Sequence, residues 1–295
     1  MEPTLEDWKK AGQLAAKTLA YGKGLIKKGA SMLEVSDKVD QFIIDNKAVP
    51  AFPSQISCNE IAAHYCAFPD DETIFEDQLA SLDVGVCLNG AIGDNATTID
   101  LSGKYSDLIK AAEDALKAAS NKVAIGTQLN EIGKAIHEAI TSHGFSPVRN
   151  LSGHGLGPYD VHTKPTVPNY DNGNSQALKK GDIIAIEPFA TNGAGIIYES
   201  SPNSIFMLVN KKPVRSLITR NILKEIENFK GLPFTTRWLT KNNHEGKVNF
   251  ALKELAQLEI IKEFPPLVDK NKGFVAQAEH SFLVDDKVTV LTKND

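Results

Sequence analysis

The 295-residue sequence predicts a mixed α+β fold in which a helix pair and its accompanying strands occur twice, and three observations carry that prediction. First, residues 5–46 and 106–143 each read as two amphipathic helices, broken near Gly29 and near Gly126. Second, the two regions match at an offset of 97 residues. Gly29, Met32, Glu34, Val35, Val39 and Ile43 align with Gly126, Leu129, Glu131, Ile132, Ile136 and Ile140. Apolar residues at that spacing form one stripe per helix that has to be buried. Third, strand-like sequence follows each pair: a hairpin around Asn89-Gly90 after the first, then segments at 181–189 and 195–199 after a loop at 144–178. Any two amphipathic helices resemble each other somewhat, so the strands that follow carry the case for duplication. A helix-pair-plus-hairpin unit used twice gives pseudo-twofold symmetry, and a cleft between the halves is the natural place for a site.

The first hairpin is the best-defined element. Asn-Gly between alternating segments favours a type I′ turn, which needs positive φ at both central residues. With a two-residue loop Leu88 pairs with Ala91, and Gly85 therefore pairs with Asp94. Side chains alternate faces with period two, so Asp83 and Asp94 become diagonal neighbours on one face, with Cβ atoms up to roughly 7–8 Å apart. Leu82, Val84, Val86, Ala91 and Ile92 make the hairpin too apolar for a surface ornament. Buried carboxylates must be paired or coordinate a metal, and these two are spaced to share one.

Between residues 205 and 266 the pattern changes. Arg215–Lys230 carries Leu217, Ile222, Leu223, Ile226 and Phe229, and Lys247–Ile261 carries Val248, Leu252, Leu255 and Leu258, which predicts two helices with polar connections. The stretch holds eleven Lys/Arg against six Asp/Glu, whereas the whole chain has a net charge of -5. It therefore reads as a helical insert, with residues 1–204 and 267–295 forming one domain around it. Strand character returns in Phe274–Leu291, so distant segments complete the sheet.

Composition excludes several classes of function. Hydrophobic content of 42% and charged content of 23% are those of an ordinary globular protein. Cys58, Cys66 and Cys87 are odd in number and lack C-x-x-C spacing, which argues against a disulfide framework or a cysteine zinc site and for a reducing cytoplasm. No apolar run approaches the ~18 residues of a membrane helix, and the first residues alternate charge with Leu and Ala, a pattern unlike that expected of a signal peptide. Asn192-Gly193-Ala194-Gly195 lacks the spacing of a dinucleotide loop and reads as a turn; Ser152 beside His154 lacks the G-x-S-x-G context of a nucleophile elbow.

Three further residues suit the hairpin aspartates. His154 stands in the glycine-flanked loop Ser152-Gly153-His154-Gly155, where a side chain is presented without steric cover. Glu187 ends the apolar run Asp182–Ile186 and needs a partner there, and Glu279 follows Gln277, a candidate donor to the same cluster. In this order, and with the surrounding motifs Asn59-Glu60-Ile61-Ala62-Ala63-His64, Leu82-Asp83-Val84-Gly85, Leu151-Ser152-Gly153-His154-Gly155, Ile186-Glu187-Pro188-Phe189-Ala190 and Gln277-Ala278-Glu279-His280, the chain closely resembles the methionine aminopeptidases of the pita-bread fold. The resemblance covers nearly the whole chain. An insert between Glu187 and Glu279 is similar to that of the type II subfamily in its compact archaeal form. Ala278 departs from the pattern, because the family commonly has an aromatic beside this ligand.

The resemblance implies two divalent ions, with Asp83 on one, Asp94 and Glu279 bridging both, and His154 with Glu187 on the second. Four carboxylates would then balance two dications by formal count. The donor set suits Mn, Fe, Co or Zn about equally. Glu187 is implied as proton shuttle, His162 as a donor to developing oxyanion charge and His64 as the residue that orients the scissile group. Phe52, Val161, Phe189 and Phe264 match the wall of the methionine pocket, where sulfur–aromatic contacts contribute roughly 0.3–1.5 kcal/mol. Substrates would be the N-termini of nascent polypeptides with small second residues, acted on by a cytoplasmic monomer, and the basic insert would allow a transient ribosome contact. Two rival readings share the fold: a proline-specific peptidase, and a non-catalytic binding protein that has lost metal ligands. All five ligand positions are intact, which counts against the second.

Overall fold

The computed structural model describes residues 2–293, which form an α+β molecule with two similar halves and a segment inserted between strands of the second. The first helix pair is α1 (Leu5–Leu25) and α2 (Met32–Asp45); the second is α3 (Ser106–Ser120) and α4 (Leu129–Ser142). Both pairs break where the sequence predicts, at Gly29 and Gly126, which adopt φ of 84° and 89°. These are left-handed conformations that glycine enters without steric cost. Equivalent capping follows. Ser31 accepts a hydrogen bond from the Glu34 amide, and Gln128 forms a reciprocal box with Glu131.

The repeat extends to the segment that pins each break. Gly29 N–H donates to Phe75 O at 2.7 Å and Met32 N–H to Thr73 O at 2.9 Å; Gly126 N–H donates to Leu178 O at 2.8 Å and Leu129 N–H to Gln176 O at 3.0 Å. Met32, Val35, Val39 and Ile43 are buried with Ile56, Leu82, Val84 and Val86 of the first sheet. Their counterparts Leu129, Ile132, Ile136 and Ile140 are buried with Ile184, Ile186 and Phe282 of the second. Two apolar stripes thus produce two cores, one per half.

The first sheet centres on the hairpin of strands Leu79–Leu88 and Ala91–Asp100, with Val49–Pro50 and Gln55–Cys58 on the other side of Leu79–Leu88. Pairing runs in continuous register from Leu79 with Asp100 to Leu88 with Ala91, and Gly85 lies opposite Asp94 as the turn chemistry requires. Asn89 and Gly90 have φ of 53° and 97°, the positive pair of a type I′ turn. The second sheet has five strands in the order Thr289–Val290, His280–Leu283, Ile183–Ile186, Ser152–Gly157, Asp160–Pro168. Ser281 Oγ donates to Asp94 O and accepts from Asp94 N–H, and Glu279 N–H donates to Ala96 O at 3.1 Å. Those bonds join the two sheets edge to edge, so the hairpin aspartates face the second half.

Two sequence expectations change. Residues 144–178 are not one loop, because they contain the hairpin of Ser152–Gly157 and Asp160–Pro168, so His154 sits on a strand. The glycines mask that strand: a Cβ at Gly153 would overlap the Ala185 carbonyl of the neighbouring strand, and one at Gly155 the Lys164 carbonyl. Glycine serves here to let backbones approach closely, a role that lowers strand propensity in the sequence. Residues 205–266 are not helical alone either. α5 (Leu217–Glu227), α6 (Thr236–Thr240) and α7 (Glu245–Gln257) are accompanied by a three-stranded sheet of Phe234–Thr235, Ile205–Leu208 and Ile261–Phe264. This segment has its own apolar cluster, including Ile222, Ile226, Phe234, Val248 and Leu255.

Candidate metal centre

Each candidate donor is placed by a strand or strand end at the join of the halves. Asp83 and Asp94 come from the hairpin, His154 from Ser152–Gly157, Glu187 from the residue after Ile183–Ile186, and Glu279 from the corner before His280–Leu283. Asp94, His154 and Glu279 each present one ligand atom, all within 4.8 Å of one another. His154 Nε2 lies 3.8 Å from Asp94 Oδ2 and 3.5 Å from Glu187 Oε1. Its Nδ1 is 3.2 Å from Gly155 O; an Nδ1–H donated there leaves the Nε2 lone pair facing the acids.

A divalent cation fits these residues, on grounds of the cluster itself. Asp83 Oδ1, Asp94 Oδ1 and Glu279 Oε2 are buried without a hydrogen-bond partner. Among the described residues no Lys or Arg pairs with any of the four acids. Burial raises the Asp83 carboxyl to about 7, although Gln277 donates to it. Burial, then the neighbouring carboxylate charges, holds Asp94, Glu187 and Glu279 well above their ordinary range. Burial also pushes His154 down to about 3, which keeps its imidazole neutral and able to ligate. Buried oxygens without donors and an imidazole lone pair aimed at acids are mutually repulsive until a cation lies between them.

All eleven residues predicted from sequence for ligation, catalysis or substrate contact line one cavity of about 210 Å³. His162 stands at its mouth, with its ring centroid 4.5 Å from that of His154, and Phe264 packs 5.7 Å from His64. His64 is pushed down to about 4 by burial and then by the adjacent His162, and desolvation followed by the Lys262 charge lowers His162. Both imidazoles are therefore neutral near pH 7. The Phe52 ring occupies the space that a side chain at Gly85 would fill, so the glycine opposite Asp94 opens the pocket wall.

Sequence reasoning missed Gln55, Asn150, Ile205 and Pro233, which line the same cavity. Gln55 pairs with Asp83 across the sheet, and its Oε1 accepts the His64 N–H at 2.7 Å. That bond holds His64 at a φ of 65°, a conformation costly for a residue other than glycine. The strand at 55–58 carried the signal, because an antiparallel neighbour of Asp83 has to face the site. Ile205 and Pro233 come from the inserted segment, whose contribution to the cavity its composition did not announce.

A duplicated α+β framework with buried carboxylates and an imidazole at its seam defines the metal-dependent hydrolases of the pita-bread fold. The chain belongs to metallopeptidase family M24, whose model matches residues 6–232. The methionine aminopeptidase of Archaeoglobus fulgidus is 42% identical over 286 residues, covering 96% of each chain. The structure of a methionine aminopeptidase from Thermotoga maritima superposes with a TM-score of 0.70 at 23% identity, covering 100% of this chain and 99% of that one. A thermophilic Arx1 superposes with a TM-score of 0.83 at 15% identity, covering 97% and 90%. These two structural likenesses concern the fold, which does not by itself assign chemistry.

Proposed function

We propose that this enzyme removes the N-terminal methionine from peptides and nascent proteins by hydrolysis of the first peptide bond, favouring small second residues. The observation that carries the reading is convergence: five donors, two neutral imidazoles and the apolar residues Phe52, Val161, Phe189 and Phe264 line a single cavity. In this reading Asp83, Asp94, His154, Glu187 and Glu279 would hold two divalent ions between them. When bound, such ions supply a water of lowered pKa and polarise the scissile carbonyl. Glu187 takes a proton at its carboxylate and returns it to the leaving amine. Gln277 Nε2, 3.4 Å from Glu187 Oε2, donates to the charged form of that acid and orients it. His162 donates a hydrogen bond to the developing oxyanion as a neutral imidazole, and His64 orients the scissile group. The aromatic and aliphatic wall selects an unbranched thioether over charged side chains.

The reading carries with it a cytoplasmic, monomeric enzyme that meets chains as they are made, with residues 205–266 as an inserted subdomain on the catalytic domain formed by 1–204 and 267–295. Arg237 is buried, which leaves ten of the eleven Lys/Arg in that segment exposed. Exposed cations in such excess suit phosphate contacts, and salt-sensitive binding to ribosomes is their expected signature. The decisive experiment loads metal-depleted protein with Co²⁺ or Mn²⁺ and compares Met-Ala-Ser with Xaa-Pro peptides. Release of methionine that chelation abolishes is expected. Cleavage of Xaa-Pro bonds would assign the chain to the proline-specific peptidases instead.

A further inference from the structure

The cavity lined by the candidate donors is not closed on all sides. It opens into a trough of about 720 Å³ that shares His64, Asn150, Val161, His162 and Phe264 with it, and the trough runs on into a third cavity through Tyr198, Glu199, Glu263 and Pro265. Along this path lies the strand Ile197–Glu199, the edge of a three-stranded sheet in which it pairs with Leu267–Asp269. Lys270 N–H donates to Ile196 O and Ser200 N–H to Pro266 O, and Tyr198 lies opposite Val268. Backbone groups alternate sides along a strand, so those of Ile197 and Glu199 point away from the sheet.

The two positions are treated differently. Asn150 acts as a strand substitute at Ile197: its Oδ1 accepts the Ile197 N–H at 2.9 Å and its Nδ2 donates to Ile197 O at 2.8 Å. Glu199 has no such partner among the described residues, and both its side chain and that of Tyr198 are exposed. A free edge beginning where the catalytic cavity ends is built to receive an extended chain.

Resting on the aminopeptidase reading, we propose that the Glu199 edge is a binding subsite for the substrate chain several residues beyond the scissile bond, which docks there in extended form through its backbone. Glu199 C=O accepts a peptide N–H and Glu199 N–H donates to a peptide C=O. The rim sets Asp160, Glu199 and Glu263 against Lys262, so its charge disfavours acidic chains but reads no particular sequence. Backbone pairing suits an enzyme whose substrates share a first residue and differ in all that follows. Asn150 blocks the inner position, which leaves Glu199 as the anchor and keeps the chain clear of the reacting groups.

The test uses the metal-loaded full chain and peptides from Met-Ala-Ser to an octapeptide. KM is expected to fall with length once the chain reaches the edge. A scan that replaces one amide at a time by an ester, from the fourth residue onward, removes single N–H donors without adding bulk. It should raise KM by about threefold to tenfold at one position and leave its neighbours and kcat unchanged, the size of one hydrogen bond. Glu199→Pro removes the N–H of the edge at a site where proline is sterically tolerated, and the gain of affinity with length should disappear. A flat ester scan with methionine still released overturns the subsite and leaves the peptidase reading standing. Failure to release methionine even from Met-Ala-Ser removes both.

Discussion

At the scale of single residues, the acids of the cavity differ in what surrounds them, and that difference separates their roles. Glu187 has the Gln277 amide at one oxygen and the His154 ring at the other, whereas Asp94 and Glu279 each keep an oxygen with no partner. Asp83 combines the Gln277 donor with an orphaned oxygen, so what sets Glu187 apart is that neither of its oxygens is orphaned, which suits it to move a proton as well as to hold a cation. Glu187→Gln keeps shape and one potential ligand oxygen but cannot accept a proton. It should lower kcat by about 10²- to 10⁴-fold, the usual contribution of a positioned base, with protein-bound metal measured alongside. Activity at the wild-type level with metal retained would remove Glu187 from proton transfer. The same scale shows how far the site was legible. Asp83 and Asp94 followed from turn chemistry and strand parity alone, because Asn89-Gly90 fixes the register. His154, Glu187 and Glu279 were weak individually and came together only through the resemblance. Gln55 was legible only once the strand at 55–58 is paired with that of Asp83, and Asn150 not at all, since a neutral amide in a loop carries no signature until the sheet beside it is closed.

At the scale of elements, one buried ion-pair network ties the inserted segment to the first half. Arg237 on α6 reaches Asp40 on α2 through Nη2 at 2.7 Å, and Asp37 through Nη1 at 2.5 Å. Asp40 also accepts from Trp238 Nε1 at 2.8 Å and from Ser54 Oγ at 2.7 Å. Arg237 and Asp40 are 3% and 2% exposed, so removing the cation strands a desolvated carboxylate. Arg237→Met is expected to cost about 3–5 kcal/mol in denaturant unfolding, and Asp37→Asn, at the half-exposed end, less than about 1 kcal/mol. Equal costs would mean that burial of Asp40 is not what sets the penalty. This latch also accounts for what the sequence concealed. The charge excess of 205–266 reads as a solvated face, yet its one internal arginine fixes the segment whose Ile205, Pro233 and Phe264 complete the cavity. The paired helices were legible because their apolar stripes recur at one offset. The strands at 152–157 and 205–208 were not, the first because its glycines serve close packing and the second because four apolar residues have no diagnostic period.

At the scale of the whole molecule, stability and metal binding are linked through the carboxylates at the seam. In the metal-free chain burial pushes Asp83 up to about 7, and burial with mutual repulsion holds Asp94, Glu187 and Glu279 well above the usual values. In the unfolded chain such groups titrate near roughly 4. A carboxyl with the higher pKa in the folded state binds more protons folded than unfolded between those values. Its contribution to stability is therefore present at low pH and declines as pH rises from about 4 toward and through the folded value. A divalent ion reverses the sign, because it binds the deprotonated oxygens of the folded state and has no assembled site in the unfolded one. Other groups oppose this trend: hydrogen bonds from the backbone and from Ser102 hold Asp100 below its usual range, so it stabilises the fold as pH rises. Those terms are common to the metal-free and metal-loaded protein and cancel in their difference. The rise in Tm on adding Mn²⁺ at fixed free concentration should accordingly be larger at pH 7.5 than at pH 5.0, as measured by scanning calorimetry. Asp94→Asn should shrink that difference by removing one of the titrating ligands. A metal-induced shift that is equal at the two pH values, or larger at pH 5.0, would mean that the buried acids are not what the ion engages.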